Sequence, residues 1–289
     1  MATKPLIVIV GPTASGKTSL AIDLAERIVG EIICADSRTV YRYMDIGTAK
    51  PSVAEQSRVP HWGLDLVDPD TRFTVVDFKK YAMKKIDEIR SRGHVPILVG
   101  GTGLYVDAVI FDYQFGSQPD QNKRKQYELM TIEELQKYCY NNNIQLPEND
   151  KNKRYVIRAI ERNGESLKRR DTPIDNTIIV GIATDKHELY QRIEQRSNDI
   201  FEQNIIEEAR QLANNYGWGH ESMTGNIYPL CQQYIEGKIT HNDLVSQFNV
   251  MDRKLAKRQM TWLRRNPYIH WIERDLALDR ILSLLASEQ

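Results

Sequence analysis

The fold is decided by residues 6–18, which read LIVIVGPTASGKT. Leu6–Val10 is a continuous aliphatic and mostly β-branched run, which is typical of a strand buried on both faces of a parallel sheet. A glycine-rich turn follows directly, and the composition then favours a helix over Lys17–Val29. The stretch therefore predicts a strand, a tight turn and a helix, which is the opening of a βαβ unit.

The turn matches G-x-x-x-x-G-K-[ST] and has the flanking strand and helix that this motif requires. Its backbone amides and the start of the helix favour an anion, Lys17 adds a full positive charge, and the Thr18 hydroxyl can ligate Mg²⁺. We predict a polyphosphate site formed by Gly11, Thr13, Ala14, Ser15, Gly16, Lys17 and Thr18. The motif alone does not say whether the polyphosphate is ATP.

The rest of the chain continues the alternation of strands and helices. Four more apolar runs predict strands at Ile32–Ala35, Val95–Val99, Ile178–Ala183 and Tyr268–Ile272. Helices are predicted over about 186–214, about 240–265, and Val75–Arg92, where Thr74 and Asp77 form a helix-start box. The pattern predicts an α/β fold with a parallel sheet of the P-loop NTPase type.

Residues 112–170 differ from the chain on either side. They are polar, rich in Lys, Arg, Asn and Gln, and contain no convincing strand, whereas the run beginning at Ile178 returns to a buried-strand composition. We predict one helical insertion domain at 112–170, within a core formed by residues 1–111 and 171–289.

The charge of the chain is balanced overall but unevenly distributed. The total of 39 Lys and Arg against 39 Asp and Glu would by itself argue against a nucleic-acid partner. Residues 151–170, however, hold eight Lys or Arg and two acids, and Arg154 and Arg158 would share one side of a helix. A second cationic group has no acid between its members: Arg253, Lys254, Lys257, Arg258, Arg264 and Arg265. Each group is either a phosphate-binding surface or an ordinary solvated face.

The sequence also bears on the compartment. No apolar run approaches the roughly 20 residues of a membrane span, and Leu6–Val10 is too short for a signal-peptide core. The three cysteines lie far apart, without a C-x-x-C pair, at Cys34, Cys139 and Cys231. This spacing argues against a disulfide or zinc framework. We expect a cytoplasmic protein without a membrane segment, and nothing in the sequence requires more than a monomer.

Polar residues follow two predicted strands at the carboxyl edge of the sheet, where open α/β sheets bind ligands. Asp36 and Ser37 come after the second strand, and the turn Gly100–Gly103, which includes Thr102, ends the third. The Asp36 carboxylate could hold Mg²⁺, act as a general base, or only form an ion pair or a helix cap. No predicted strand ends in the further acid with which ATP-using enzymes coordinate metal, which weakens the case for an ATPase.

Four motifs in this order resemble those of the tRNA dimethylallyltransferases, over residues 6 to about 272. They are the phosphate loop, the segment with Asp36, Ser37, Tyr41 and Met44–Pro51, the turn Gly100–Tyr105, and Ala256–Trp262. The resemblance implies transfer of a dimethylallyl group from its diphosphate to the exocyclic amine of the adenosine 3′ of the anticodon, with release of pyrophosphate. The helical insertion then corresponds to the family's tRNA-binding domain.

The resemblance also implies a role for each matching residue. Lys17, the loop amides and Mg²⁺ on Thr18 would stabilise the leaving pyrophosphate. Asp36 would take the proton of the adenine amine, and Thr102 would orient that amine. The residues implied in tRNA binding are Asp36, Ser37, Arg38, Thr39, Thr102, Arg124, Arg154 and Arg158.

The chain departs from the family's pattern at two places. Asn226–Leu230 lacks a usual glycine and a usual cation, and Arg196–Asn198 replaces an Arg-Val-Asp-like run. Three other functions stay open at this point: an adenylate isopentenyltransferase that acts on a free nucleotide, a small-molecule kinase that uses ATP, and an RNA-binding protein that has lost its chemistry.

Overall fold

The computed structural model describes residues 3–116, 120–165 and 167–287. The chain divides into two compact units. The core unit is Met1–Phe111 with Thr172–Gln289, and the insertion unit is Asp112–Asp171. No helix in the described ranges is long and apolar enough to cross a membrane.

Six strands form one sheet in the core unit, and all neighbouring strands run parallel. The strands are β1 (Leu6–Val10), β2 (Gly30–Cys34), β3 (His61–Trp62), β4 (Val95–Gly100), β5 (Thr177–Ala183) and β6 (His270–Glu273). Their order across the sheet is β3-β2-β4-β1-β5-β6. The predicted α/β fold with a parallel sheet is confirmed, and the two-residue β3 is a strand that the sequence did not predict.

The described residues also form twelve α-helices and one 3₁₀ helix, Glu221–Thr224. The helices are α1 (Lys17–Ile28), α2 (Val53–Arg58), α3 (Val75–Ser91), α4 (Gly103–Ile110), α5 (Gln121–Leu129), α6 (Ile132–Asn141), α7 (Lys153–Glu161), α8 (Lys186–Glu202), α9 (Ile205–Tyr216), α10 (Tyr228–Ile235), α11 (His241–Leu263) and α12 (Arg274–Ser287). The helix-start box at Thr74 is present, because its side chain accepts from the Asp77 N–H and the Asp77 carboxylate accepts from the Thr74 N–H.

Strand β1 lies between β4 and β5, and all five of its residues are buried. Ile7 and Ile9 belong to an apolar cluster with α1 and α12 on one face of the sheet. Because side chains alternate along a strand, Leu6, Val8 and Val10 face the other side and are buried there. Coverage of both faces is the physical reason for the unbroken aliphatic run in the sequence.

A second apolar cluster of the core unit joins residues 40–44 to helices α8 to α11. The sequence predicted a mostly helical segment over about 186–214, and the structure confirms it. The structure has two helices, because Asn204 adopts a left-handed conformation with φ of 67° between α8 and α9. Asparagine is one of the few side chains that tolerate this conformation.

The insertion unit is helical in its described residues. Helices α5, α6 and α7 enclose a small core that includes Leu135, Cys139, Val156 and Ile157. Its described residues contain no strand, and an isolated bridge pairs Gln114 with Lys168.

Candidate active site

The carboxyl ends of four strands bring the predicted site residues to one edge of the sheet. Val10 is in register with Gly100 of β4 and with Gly181 of β5, and Cys34 is in register with Val99. The phosphate loop, the segment after β2 and the turn after β4 therefore begin at the same level. This alignment follows from the parallel register.

Side chains of two distant helices contact the phosphate loop, and Lys17 bonds within it. The Thr13 N–H donates to Oε1 of Gln259 at 2.7 Å, and the Thr13 hydroxyl accepts from Nη1 of Arg196. Nζ of Lys17 donates to the Pro12 carbonyl at 3.0 Å. Ser15 is fully buried, and its hydroxyl has no partner among the described residues. Helices α8 and α11 thus fix the shape of the loop.

The environment of Lys17 perturbs its proton equilibrium. Burial lowers the pKa of the Lys17 ammonium from 10.5 to about 8, the nearby Asp36 carboxylate opposes this shift, and Arg196 adds to it. The charges of Asp36 and Arg196 thus act on Lys17 in opposite directions. Two cations beside the loop make this the part of the edge that suits an anionic ligand.

A compact hydrogen-bonded turn holds Asp36, Ser37 and Thr102 together. Oδ1 of Asp36 accepts from the Arg38 N–H at 2.8 Å, and Oγ1 of Thr102 accepts from the Ser37 N–H at 3.2 Å. All three side chains are half-buried, so they remain accessible to a ligand. A carboxylate and a hydroxyl fixed on adjacent loops can accept hydrogens from one amine.

Arg196 is a site residue that the sequence analysis did not single out for a role. Besides its contact with Thr13, it lies 3.7 Å from the buried carboxylate of Asp252, which also accepts from Nδ2 of Asn226 at 2.9 Å. Asn226 lies in the segment where the chain departs from the family's pattern. Arg196 begins the segment Arg196–Asn198, which departs from the family's pattern, and its contact with the loop is visible only in the folded chain.

Of the residues predicted to bind tRNA, Arg38 is engaged by other groups of the core unit and Thr39 is buried in it. The Arg38 guanidinium donates to the carbonyls of Glu221 and Ser222 and to the Thr224 hydroxyl, so it holds the 3₁₀ helix. Thr39 is buried, and its hydroxyl has no partner among the described residues. The structure thus gives the Arg38 side chain a packing role beside the predicted one.

The predicted arginines of the insertion unit differ in exposure. Arg124 is buried, and its guanidinium pairs with Glu128 at 2.9 Å and with Glu161 at 2.7 Å. Arg158 is half-buried and also pairs with Glu161, whereas Arg154 is exposed. A phosphate that contacts Arg124 or Arg158 therefore competes with an internal carboxylate, and Arg154 is the most accessible of the three.

Comparison with known proteins gives a uniform result. The model of the IPP transferase family matches residues 39–266. The tRNA dimethylallyltransferase of Acetivibrio thermocellus is 39% identical, over 93% of this chain and 92% of that protein. The full-length tRNA isopentenylpyrophosphate transferase of Bacillus halodurans is 34% identical, covers 98% of this chain and 96% of its own, and has a TM-score of 0.76. The corresponding structure from Staphylococcus epidermidis is 32% identical with a TM-score of 0.74, over 99% of this chain and 100% of that one. The chain belongs to the IPP transferase family, among the tRNA dimethylallyltransferases.

Proposed function

We propose that the protein transfers a dimethylallyl group from dimethylallyl diphosphate to the exocyclic amine of the adenosine 3′ of the anticodon in tRNA, releasing pyrophosphate. One observation carries the proposal: the parallel register brings the phosphate loop with Lys17 to the same edge of the sheet as Asp36 and Thr102. A cationic site for a diphosphate beside an acceptor for an amine proton is what prenyl transfer to nitrogen requires.

The proposed reaction is a displacement at the allylic carbon. The amine nitrogen forms a bond to C1 of the dimethylallyl group as the bond from C1 to the diphosphate oxygen breaks. The electron pair of that bond leaves with the diphosphate, and Lys17 and Arg196 offset the developing negative charge.

Asp36 and Thr102 act on the nucleophile. The amine proton passes to the Asp36 carboxylate as the new C–N bond forms. Oγ1 of Thr102 accepts one hydrogen bond from the Ser37 N–H, and its second lone pair can accept a hydrogen from the amine. Asp36 therefore removes the proton, while Thr102 orients the group that carries it.

Mg²⁺ is part of the proposal, with Thr18 as its protein ligand. The described residues contain no group of three or more His, Cys, Asp or Glu side chains that could hold a metal ion. Mg²⁺ commonly takes one or two protein ligands and completes its shell with waters and substrate phosphates, so one hard oxygen donor suits it. The ion, when bound with the diphosphate, would neutralise charge on the leaving group.

The proposal also covers the tRNA-binding residues, the cellular compartment and the oligomeric state. We assign tRNA contacts to Arg154 of the insertion unit and to the exposed cations of α11. The three cysteines are free and buried, as a reducing compartment allows. We propose that the protein acts in the cytoplasm as a monomer.

The test is incubation of the protein with dimethylallyl diphosphate, Mg²⁺ and either unmodified tRNA or AMP. Mass spectrometry of nucleosides should show prenylated adenosine from the tRNA and none from AMP. Transfer to AMP alone would instead identify an adenylate isopentenyltransferase. Phosphoryl transfer from ATP would identify a kinase, and tRNA binding without turnover at high protein concentration would identify an RNA-binding protein without the chemistry.

A further inference from the structure

One face of α11 contacts both loops that the proposed reaction uses. Gln259 and Trp262 are three residues apart, so they lie on the same side of the helix. Oε1 of Gln259 accepts from the Thr13 N–H of the phosphate loop at 2.7 Å. The amide of the same side chain lies against Gly101, where an added Cβ would fall 2.5 Å from Nε2. A single half-buried side chain therefore touches the phosphate loop and the turn that ends β4.

Trp262 contacts the same turn at Gly103, the residue that follows Thr102. Its Nε1 donates to Oδ2 of the buried Asp107 in α4 at 2.7 Å. Its indole ring lies so close to Gly103 that any Cβ there would collide with it. Gln259 on Gly101 and Trp262 on Gly103 thus hold Thr102 between them.

We infer that Gln259 is a positioning residue that sets the distance between the departing diphosphate and the attacking amine. The inference rests on the proposed function, in which the phosphate loop holds the diphosphate and Thr102 orients the amine. A displacement needs nucleophile and leaving group in line, and a misplacement of about 1 Å can cost about 100-fold in rate. Gln259 joins the two loops directly, so its amide fixes their spacing.

The contact with Thr13 has a second consequence. Both polar groups of the Thr13 residue that face the protein are engaged, the N–H by Gln259 and the hydroxyl by Arg196. Thr13 therefore ties the phosphate loop to α11 and α8. Lys17, Arg196 and the later backbone amides of the loop therefore remain to bind the diphosphate.

The first test replaces Gln259 by Met, which keeps the length of the side chain and removes its hydrogen bonding. Gly101→Ala displaces the same amide from the opposite side. Gln195→Met is the matched control, since Gln195 is an exposed helix residue whose amide bonds Asp199. We expect kcat on tRNA to fall about 10- to 100-fold in both site variants and to stay unchanged in the control.

The binding of each substrate alone separates positioning from a merely structural role. Affinities for dimethylallyl diphosphate alone and for tRNA alone should change by less than about threefold, because each loop still binds its own ligand. An unchanged kcat in Gln259→Met would overturn the inference. A loss of both affinities and of Tm in proportion to kcat would also overturn it, since it would show a structural role only.

A pH profile of Gln259→Glu gives an independent readout. The protonated Glu side chain has the acceptor and donor pattern of Gln, whereas the ionised form places a negative charge beside the diphosphate. The ratio of variant to parent kcat/KM should therefore rise as pH falls from 8 to 5.5, because only the variant carries the added carboxyl group. A ratio that does not change with pH would contradict the inference. The parent's own turnover on tRNA, measured in the same assay, reports separately on the proposed function.

Discussion

Lys17 makes the proposed reaction sensitive to alkaline pH. Because burial lowers its pKa to about 8, the ammonium loses its proton as pH rises through that value, where an ordinary lysine at 10.5 stays charged. Neutral Lys17 no longer attracts a diphosphate. The value of kcat/KM for dimethylallyl diphosphate should fall about tenfold per pH unit above pH 8, since this parameter reports the free enzyme.

The saturated enzyme provides the comparison for this prediction. A bound diphosphate raises the pKa of Lys17 by its negative charge, so kcat should persist to higher pH than kcat/KM. Initial rates at constant saturating tRNA between pH 6.5 and 9.5 measure both profiles. A kcat/KM that stays flat over this range would show that Lys17 keeps an ordinary pKa or does not bind the diphosphate.

Asp36 can be tested without disturbing the turn around it. In Asp36→Asn the amide oxygen can still accept from the Arg38 N–H, a bond of 2.8 Å in the parent. Only the capacity to take a proton is lost, so kcat should fall by roughly 10²–10⁴ while the Kd for tRNA changes little. Asp279→Asn removes an exposed carboxylate from α12 and should leave kcat unchanged. Near-normal turnover of Asp36→Asn in single-turnover assays would exclude Asp36 as the base.

At the scale of elements, a carboxylate of α9 holds the loop at residues 45–47. Glu208 accepts from the backbone N–H groups of Asp45, Ile46 and Gly47 at 2.9, 2.7 and 3.0 Å. It also accepts from the Tyr228 hydroxyl at 2.9 Å, and burial together with the proximity of Glu208 raises the pKa of Tyr228. One anion thus joins this loop to α9 and α10.

Glu208→Gln should destabilise the protein by about 2 kcal/mol, because either orientation of the amide turns an NH₂ group toward backbone donors. Tyr228→Phe removes one of four hydrogen bonds and leaves the carboxylate with its three amides, so it should cost only about 1 kcal/mol. Urea unfolding of the parent and both variants measures these differences. An equal or larger loss in Tyr228→Phe would mean that the Tyr228 hydroxyl, and not the three backbone contacts of the carboxylate, holds the loop.

The sequence predicted helices and strands correctly where neighbouring residues carry a clear signal, such as a helix cap or a continuous apolar run. Val75–Ser91 begins at its predicted cap, and the buried run of β1 was identified because both faces of that strand are covered. The division at Asn204 was missed, since asparagine is common in helices and in turns and only the packing of α8 and α9 selects the left-handed conformation. The two residues of β3 are too few to show any periodicity.

At the scale of the whole molecule, the exposed cations are of two kinds. Several surface arginines of the core unit have a carboxylate partner, as Arg42 has Asp68 and Arg58 has Glu26. Five exposed cations of α11 and the residues after it form no ion pair within the described part of the chain: Lys254, Lys257, Arg258, Arg264 and Arg265. Cations without a carboxylate partner can neutralise the phosphates of a polyanion and thereby release the counterions condensed on it.

This difference predicts how tRNA binding depends on salt. Lys257→Gln with Arg258→Gln should reduce the slope of log K against log salt by about 1 to 2, since each phosphate contact contributes about 0.7 to 0.9. Arg42→Gln with Arg58→Gln removes the same charge from paired positions and should leave the slope almost unchanged. Filter binding at several salt concentrations measures both slopes. Equal slopes in the two double variants would contradict the assignment of α11 to RNA.

The sequence by itself determined the parallel α/β fold, the phosphate loop and the strand-end residues Asp36 and Thr102. These features depend on neighbouring residues: an aliphatic run, a glycine turn, and the rule that parallel strands end at one edge. The tertiary structure alone decided which distant side chains reach that edge. Arg196 and Gln259 meet the loop because α8 and α11 pack beside it. The motif Ala256–Trp262 contains Gln259, but with 246 residues between Thr13 and Gln259 no local pattern reveals their contact. The tertiary structure also decided which cations form ion pairs. Ion pairs depend on contacts between distant side chains, and the balanced total charge of the sequence does not reveal them.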